Sequence, residues 1–111
     1  MMERVDSVVR QVQAYNARDL EGFLACYAED VVIEDAEGKA LMRGLQAMRS
    51  RYGLLFTDSP EPHAEIVTRI RVGRYVIDEE WVTGTPGGDV HAAAIYRLDD
   101  DGLIDRVRFL R

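Results

Sequence analysis

Apolar side chains recur at helical spacing through the first half of the chain. A tyrosine and four valines follow the i, i+3, i+4, i+7 pattern of an amphipathic helix: Val5, Val8, Val9, Val12 and Tyr15. Similar apolar stripes occur at 20–27, where Asp19 is a suitable N-cap, and at 45–56. The pattern therefore predicts three helices, the second of them short.

Elsewhere apolar residues alternate with polar ones, which is typical of strands. A short apolar strand at 31–35 and another at 40–43 precede the third helix. Four longer alternating runs follow that helix, separated by turn sequences: 64–72, 75–83, 90–98 and 103–110. Helices followed by an antiparallel meander predict an α+β fold, with three N-terminal helices packed on one face of a curved, mainly antiparallel sheet.

The first turn of the meander, at 73–74, sets the register of its first two strands. A tight turn there pairs Thr68 with Glu79, so that the apolar faces of the two runs coincide. On this register the opposite face carries Arg69 and Arg71, which we expect to point outward.

The second turn, at 87–88, predicts which side chains line the inside of the sheet. A two-residue turn there places Trp81 opposite Ala94 and Glu79 opposite Tyr96. We therefore expect Glu79 and Tyr96 to face inward, with Trp81 and Ala94 lining an apolar hollow. An acid on an apolar face has a raised pKa, so Glu79 is a candidate acid or base, with structural pairing as the alternative.

Two consecutive acids end the strand at 31–35, and strand alternation allows only one of them to face inward. Asp35 is a candidate general base, or else a strand-end residue that bonds the amides of the following turn. Its neighbour Glu34 is expected to be solvated on the other face.

Charge and length exclude several classes of partner. The 111 residues correspond to one small domain, 1–111, and carry 20 acids against 14 bases, a formal net charge of −6. An acidic surface argues against nucleic acid and acidic membranes as partners, because binding phosphate needs a cationic surface. No apolar stretch approaches the roughly 20 residues of a membrane span. We expect a soluble, cytoplasmic protein.

Cysteine and histidine usage argues against a disulfide or a metal site. The one cysteine, Cys26, has no partner in the chain for a disulfide. The two histidines, His63 and His91, lie far apart and lack the paired spacing of metal ligands. No phosphate-binding loop is present either, so we expect no metal and no cofactor.

Three stretches of the sequence resemble a known superfamily. They are N-A-R-D-L-E-G-F, A-E-D-V-V-I-E-D and G-L-I-D-R-V-R-F-L. With the meander, they resemble the ketosteroid isomerase-like and SnoaL-like families of the nuclear transport factor two-like superfamily, over residues 5–111. Among its members the chain looks most like bacterial proteins loosely labelled steroid delta-isomerases. The resemblance implies a cone-shaped roll with a pocket open at one end, and a homodimer.

The resemblance also implies roles for individual residues. Asp35 matches the general base of ketosteroid isomerases, in which a tyrosine and a protonated aspartate form the oxyanion hole. Those two donor positions fall on Gln11 and Ala94 in this sequence. Tyr27 and Tyr52 match aromatic positions of the pocket.

Other side chains are candidates for replacing the two missing donors. The Gln11 side chain can donate through its amide, and Trp81 has an indole N–H on the strand next to Ala94. Tyr15 lies one helical turn beyond Gln11 and is expected to lean into the same pocket.

The residues are compatible with three functions. The first is an isomerase-like enzyme that binds a small apolar carbonyl compound, with Asp35 moving a proton from the carbon next to the carbonyl. Glu79, Gln11, Trp81 and Tyr52 would orient that compound. The second is a non-catalytic domain for ligand binding or dimerisation, with the outer sheet face around His91 as the homodimer contact. The third, hydration of an epoxide, needs an Asp-Arg-Asp cluster inside the protein and ranks last, because Arg69 and Arg71 are expected to face outward.

Overall fold

The computed structural model describes residues 5–58 and 61–111. The helices are α1 (Ser7–Asn16), α2 (Leu20–Leu24) and α3 (Gly44–Asp58). The strands are β1 (Tyr27–Glu34), β2 (Ala40–Arg43), β3 (His63–Val72), β4 (Tyr75–Thr83), β5 (Val90–Leu98) and β6 (Ile104–Leu110). The main difference from the sequence pattern is β1, which begins at Tyr27, where the apolar stripe had predicted the end of a helix.

The strands form one curved sheet in the order β2-β1-β6-β5-β4-β3. Neighbouring strands are antiparallel, except β1 and β6, which run parallel. Fully buried apolar side chains from the helices and from the sheet form the core between the two layers; among them are Val8, Phe23, Val31, Met48 and Val107. The predicted α+β fold, with helices on one face of a mainly antiparallel sheet, is confirmed.

Polar contacts at both ends fix α1 against the sheet. The Asp6 carboxylate caps the helix by accepting hydrogen bonds from the backbone N–H groups of Val8 and Val9. At the other end, the Asn16 amide bonds both backbone groups of Ala64, at 2.7 Å to the nitrogen and 3.0 Å to the oxygen. Because β3 is an edge strand, Asn16 covers part of an otherwise open edge and holds α1 over the sheet.

The pairing of β3 with β4 starts as predicted and then changes face. Thr68 pairs with Glu79, as the tight turn at 73–74 predicts, but the register shifts between Ile66 and Thr68. This β-bulge reverses the alternation along β3. Arg69 and Arg71 consequently lie on the helix side, where they form ion pairs with Asp78 and Asp6. The prediction that these two arginines point outward is wrong.

The pairing of β4 with β5 differs from the prediction by three residues. The last pair before the connection is Val82 with Val90, so that the loop is longer than a two-residue turn. Trp81 therefore pairs with His91, and Glu80 pairs with Ala92. The predicted pairs of Trp81 with Ala94 and Glu79 with Tyr96 are wrong. An odd shift exchanges the two faces of β4, so the residues expected inside lie outside.

Gly84 occupies the point where the chain leaves β4. Its φ is +73°, a left-handed conformation that glycine adopts without steric cost. A Cβ built at this position would lie 2.0 Å from the backbone oxygen of Glu61. Glycine is therefore required at position 84 for two reasons. The backbone dihedral angle is left-handed, and the segment that leads into β3 comes too close for a side chain.

Alanine substitutions at two glycines of this loop, Gly84 and Gly88, separate the two requirements. Gly88 also has a positive φ, +89°, but a Cβ there would meet nothing within 4 Å. We expect Gly88→Ala to lower the free energy of unfolding by about 1–2 kcal/mol, the cost of the left-handed conformation. Gly84→Ala should cost roughly 2 kcal/mol more, because backbone must also move. Urea denaturation measures both, and equal losses would contradict the close approach.

Candidate functional site

A cavity of about 390 Å³ lies between the helices and the inner face of the sheet. Five of the side chains predicted for the site line it: Gln11, Tyr15, Tyr27, Tyr52 and Tyr96. Helix α1 supplies the first two, because they are spaced one turn apart on the face that packs over the sheet. Small and apolar residues, including Ala92, Val90 and Phe109, complete much of the remaining wall.

Aromatic rings pack against one another along the helix side of the cavity. The ring centroids of Phe23 and Tyr52 are 4.7 Å apart, and those of Phe23 and Tyr27 are 5.1 Å apart. Tyr15 lies edge-on to Phe56 at 5.5 Å. These tilted and edge-to-face arrangements are favourable for aromatic pairs. The packed rings give the cavity a wall that suits the apolar body of a ligand.

Two tyrosine hydroxyls are joined through the side-chain amide of Gln11. The Tyr27 hydroxyl donates to Gln11 Oε1 at 3.0 Å, and Gln11 Nε2 donates to the Tyr96 hydroxyl oxygen at 3.1 Å. Tyr96 therefore accepts a bond from Gln11 and keeps its own proton for another acceptor. Hydrogen bonds in such a chain polarise one another, which makes the last donor stronger. The Tyr96 O–H is thus a prepared donor in the cavity wall.

Glu80 contributes the one carboxyl group among the lining residues. It is only 7% exposed, and within the described residues its carboxyl makes no hydrogen bond or ion pair. Burial, followed by the nearby charge of Asp78, raises the pKa of Glu80 from 4.5 to about 7, and Arg111 opposes this shift. The group therefore exchanges a proton near neutral pH, as a general acid or base requires.

All four tyrosines of the cavity lie within the electrostatic reach of Glu80. Burial, reinforced by neighbouring charges that include Glu80, raises the pKa of each hydroxyl, that of Tyr52 to about 12. These hydroxyls therefore remain protonated and serve as hydrogen-bond donors. Glu80 is thus the one acidic side chain among the lining residues, which otherwise comprise neutral donors, apolar side chains and two arginines.

A buried ion pair lies beside Glu80 along β4. Asp78 is fully buried, and Arg69 meets it with two hydrogen bonds, from Nε at 2.7 Å and from Nη2 at 2.8 Å. Such a bidentate pair satisfies both carboxylate oxygens, so Asp78 acts as a fixed charge. Asp78 faces inward beside Arg69, one of the two arginines that the sequence had predicted to point outward.

Asp35 lies in the turn after β1 and does not line the cavity. Its Oδ1 accepts hydrogen bonds from the backbone N–H groups of Glu37 and Lys39, at 3.0 and 2.9 Å. This is the turn-bonding alternative raised by the sequence, while a role as base stays a prediction. Glu34, expected to be solvated, is instead 4% exposed and bonded by Arg108 at 2.9 Å.

Glu79 and Trp81 lie on the outer face of the sheet, opposite the helices. Glu79 accepts a hydrogen bond from Thr68 at 3.1 Å and lies 2.8 Å from His91 Nε2. Trp81 stacks on the ring of His91, with a centroid distance of 4.4 Å. The prediction that these two residues face the pocket is wrong, because it depended on the β4–β5 register.

Ala94 and Glu80 also differ from the positions that the sequence predicted for them. Ala94 is fully buried in the core and does not line the cavity, so its position offers neither a donor nor space for a ligand. Glu80 was missed, since the assumed register placed it outside. The signal for it was the sequence G-T-P-G-G at 84–88, which contains more turn residues than a two-residue hairpin needs.

No group of three or more His, Cys, Asp or Glu side chains among residues 5–58 and 61–111 is arranged to hold a metal ion. Over the same residues, none of the helices has both the length and the apolar character needed to cross a bilayer.

Solved structures with the same fold include natural and designed proteins. An uncharacterised cystatin-fold protein from Novosphingobium aromaticivorans is 28% identical, with a TM-score of 0.85 and 95% of each chain covered. A Delta 5-3-ketosteroid isomerase from Mycobacterium sp. is 22% identical, with a TM-score of 0.79 and coverage of 96% of this chain and 94% of that one. A computationally designed 17-OHP binder is 20% identical, with a TM-score of 0.80 and coverage of 95% and 88%.

No curated protein matches the sequence. The SnoaL-like domain family, in contrast, matches residues 8–107, which is nearly the whole chain and includes every residue of the cavity except Phe109 and Arg111. The predicted resemblance is confirmed: the chain belongs to the SnoaL-like domain family.

Proposed function

We propose that this protein is an isomerase-like enzyme that moves a proton at the carbon next to the carbonyl of a small apolar compound, with Glu80 as the general base. The observation that carries the proposal is a buried carboxyl without a hydrogen-bond partner among the described residues, in the wall of an aromatic cavity. A buried carboxyl left without a partner is costly to a fold, and such groups concentrate at functional sites.

The reaction would use two groups of the cavity. The ionised carboxylate of Glu80 takes a proton from the carbon next to the carbonyl, and the electron pair of that C–H bond passes to the carbonyl oxygen as an enolate. The Tyr96 O–H donates a hydrogen bond to this oxygen, where negative charge develops. Glu80 then returns the proton to another carbon of the conjugated system, which completes the isomerisation and restores the base.

The strand pairing separates the backbone positions of these two groups along the inner face of the sheet. Glu80 pairs with Ala92, which lies four residues from Tyr96 along β5. Four residues of a strand span about 13 Å between backbone positions. Both residues line the same cavity, so the proposal places the reacting carbon next to Glu80 and the carbonyl oxygen next to Tyr96.

Proteins of this fold support both catalytic and non-catalytic uses. The protein from Mycobacterium sp. is named as a Delta 5-3-ketosteroid isomerase, whereas the designed protein is named as a 17-OHP binder. A ligand-binding domain without chemistry is the second candidate here. The observation that favours it concerns the two positions that match the oxyanion-hole donors of the isomerases. Ala94 has no donor in its side chain, and Gln11 is already bonded to two tyrosines.

Proton exchange in deuterium oxide distinguishes the two candidates. We expect the protein to accelerate loss of the methyl proton signal of acetonaphthone, a neutral aromatic ketone, in NMR spectra. Glu80→Gln should reduce this rate by about 100-fold or more, because the base is lost. Tyr96→Phe should reduce it by about 100-fold through loss of the donor to the enolate oxygen.

Asp35→Asn provides the matched control, since it also replaces a carboxyl with an amide and retains an oxygen for the turn amides. Exchange at the normal rate in Asp35→Asn supports Glu80 as the base. Loss of exchange in Asp35→Asn with full activity in Glu80→Gln would return the role of base to Asp35. Binding of the ketone without exchange in the native protein would favour the non-catalytic candidate.

The stability of Glu80→Gln at two pH values tests whether this carboxyl titrates near neutrality. Its pKa in the folded protein is raised from 4.5 to about 7, so folding favours the protonated form. The associated stability is complete below about pH 4.5 and is lost as the pH rises through about 7. We expect Glu80→Gln to leave the free energy of unfolding nearly unchanged at about pH 4 and to raise it by roughly 3 kcal/mol at about pH 8.5.

Urea titrations measure the difference, with Glu79→Gln as the control. The outer-face Glu79 has its pKa lowered, by the hydrogen bond to His91 first and then by Thr68, so its replacement should give no gain at the higher pH. An equal effect of Glu80→Gln at both pH values would contradict the raised pKa.

The outer sheet face is proposed to pair two copies of the chain. It carries apolar side chains that are each at least 40% exposed: Ile70, Val72, Tyr75, Trp81 and Leu110. Exposed apolar patches of this kind are typical of protein–protein contacts. A face on the far side of the sheet from the cavity would leave the cavity mouth open in a dimer.

Light scattering after size-exclusion chromatography tests this assembly. We expect a dimer for the native protein and a monomer for Ile70→Glu, because a charge would be buried without a partner at the contact. Leu54→Glu on α3 is the control, since Leu54 is 63% exposed and lies on the helix layer. A native monomer at micromolar concentration, or a dimer in both variants, would rule out the outer face as the contact.

A further inference from the structure

The charge of the cavity wall is opposite to that of the whole protein. The chain has 20 acids against 14 bases, but the cavity is lined by two arginines, Arg51 and Arg111, and by one acid, Glu80. Since the pKa of Glu80 is raised to about 7, this acid carries only part of a charge at neutral pH. The lining is therefore locally cationic within an acidic protein.

Both arginines lie at the exposed edge of the cavity, and neither is engaged by an acid. Within the described residues Arg51 and Arg111 make no ion pair and no hydrogen bond, in contrast to Arg49, which pairs with Glu21. The Arg111 guanidinium lies over the ring of Phe109, 5.2 Å from its centroid, a contact that leaves its N–H groups available. Two guanidinium groups thus keep their donors for another partner.

The two arginines act on the same part of the cavity. Both lower the pKa of the Tyr52 hydroxyl, against the larger effect of burial, which requires both charges to lie near that group. Arg111 acts in the same way on Tyr15 and on Glu80. The two guanidinium groups therefore lie on one side of the cavity. The hydrogen-bonded side chains of Tyr27, Gln11 and Tyr96 lie in its buried part.

We propose that the ligand is an amphipathic organic acid whose carboxylate binds Arg51 and Arg111 at the cavity mouth while its apolar ring system occupies the aromatic interior. The planar guanidinium group matches a carboxylate with two parallel hydrogen bonds. Glu80 repels an anion from the interior and the two arginines attract it to the mouth, so the ligand has one favoured orientation. This inference rests on the proposed function in one respect: the apolar part of the ligand carries a ketone, which lies near Tyr96.

A matched pair of probes measures the preference for a carboxylate. β-Naphthoylpropionate carries an aromatic body, a ketone and a carboxylate, and its carboxamide differs only by the absence of charge. We expect calorimetric titration at low salt to show that the keto acid binds roughly tenfold more tightly than the carboxamide. In about 1 M salt, where the Debye length is about 3 Å, the preference should largely disappear.

Two variants assign the preference to the cavity mouth. The double variant Arg51→Gln with Arg111→Gln should bind both probes equally, at the affinity that the native protein has for the carboxamide. Arg43→Gln is the control, because Arg43 is an exposed arginine that does not line the cavity, and it should keep the tenfold preference. Equal binding of both probes by the native protein, or a preference that survives in the double variant, would overturn the inference.

Proton exchange of the same two probes separates this inference from the proposed function. Exchange next to the ketone without a preference for the acid would support Glu80 as the base and overturn the role of the two arginines. A preference for the acid without exchange would support the arginines and overturn the catalytic proposal. If the native protein binds neither probe, both fail.

Discussion

Side chains alternate across a strand, so the number of residues in one loop decides which acid of β4 reaches the cavity. The connection between Val82 and Val90 is longer than a hairpin turn, and this places Glu80 inside and Glu79 outside. The β-bulge at Val67 likewise reverses which side chains of β3 face inward, so that Arg69 meets Asp78. The chemistry of the interior depends on these two irregularities.

The inner face of β4 carries more charge than a core of this size usually tolerates. Asp78 receives two hydrogen bonds from Arg69, which offset part of the cost of burying its charge. Glu80 has no such compensation within the described residues, and it relieves the cost by holding its proton up to about neutral pH. The aromatic packing around Phe23 contributes stability that offsets the cost of burying Glu80.

The helix side of the site was predicted by the family resemblance together with helical spacing. The resemblance pointed to Gln11 on α1 and Tyr52 on α3, helical spacing added Tyr15 one turn beyond Gln11, and all three line the cavity. The sheet side was harder, because Glu79 and Trp81 could be placed only through a register that depends on loop length and on a bulge. Neither feature has a signature in the alternation of the strands, and only the loop length shows in the sequence, through the turn residues at 84–88.

The stacking of Trp81 on His91 has a spectroscopic consequence. The chain has one tryptophan, which lies on the outer face, whereas four tyrosines line the cavity. The tryptophan and these four tyrosines therefore report on different surfaces of the molecule, and the fifth tyrosine, Tyr75, lies on the outer face with Trp81. Indole fluorescence follows events at the back of the sheet, and entry of a ligand into the interior is read from the near-ultraviolet absorbance of the phenols.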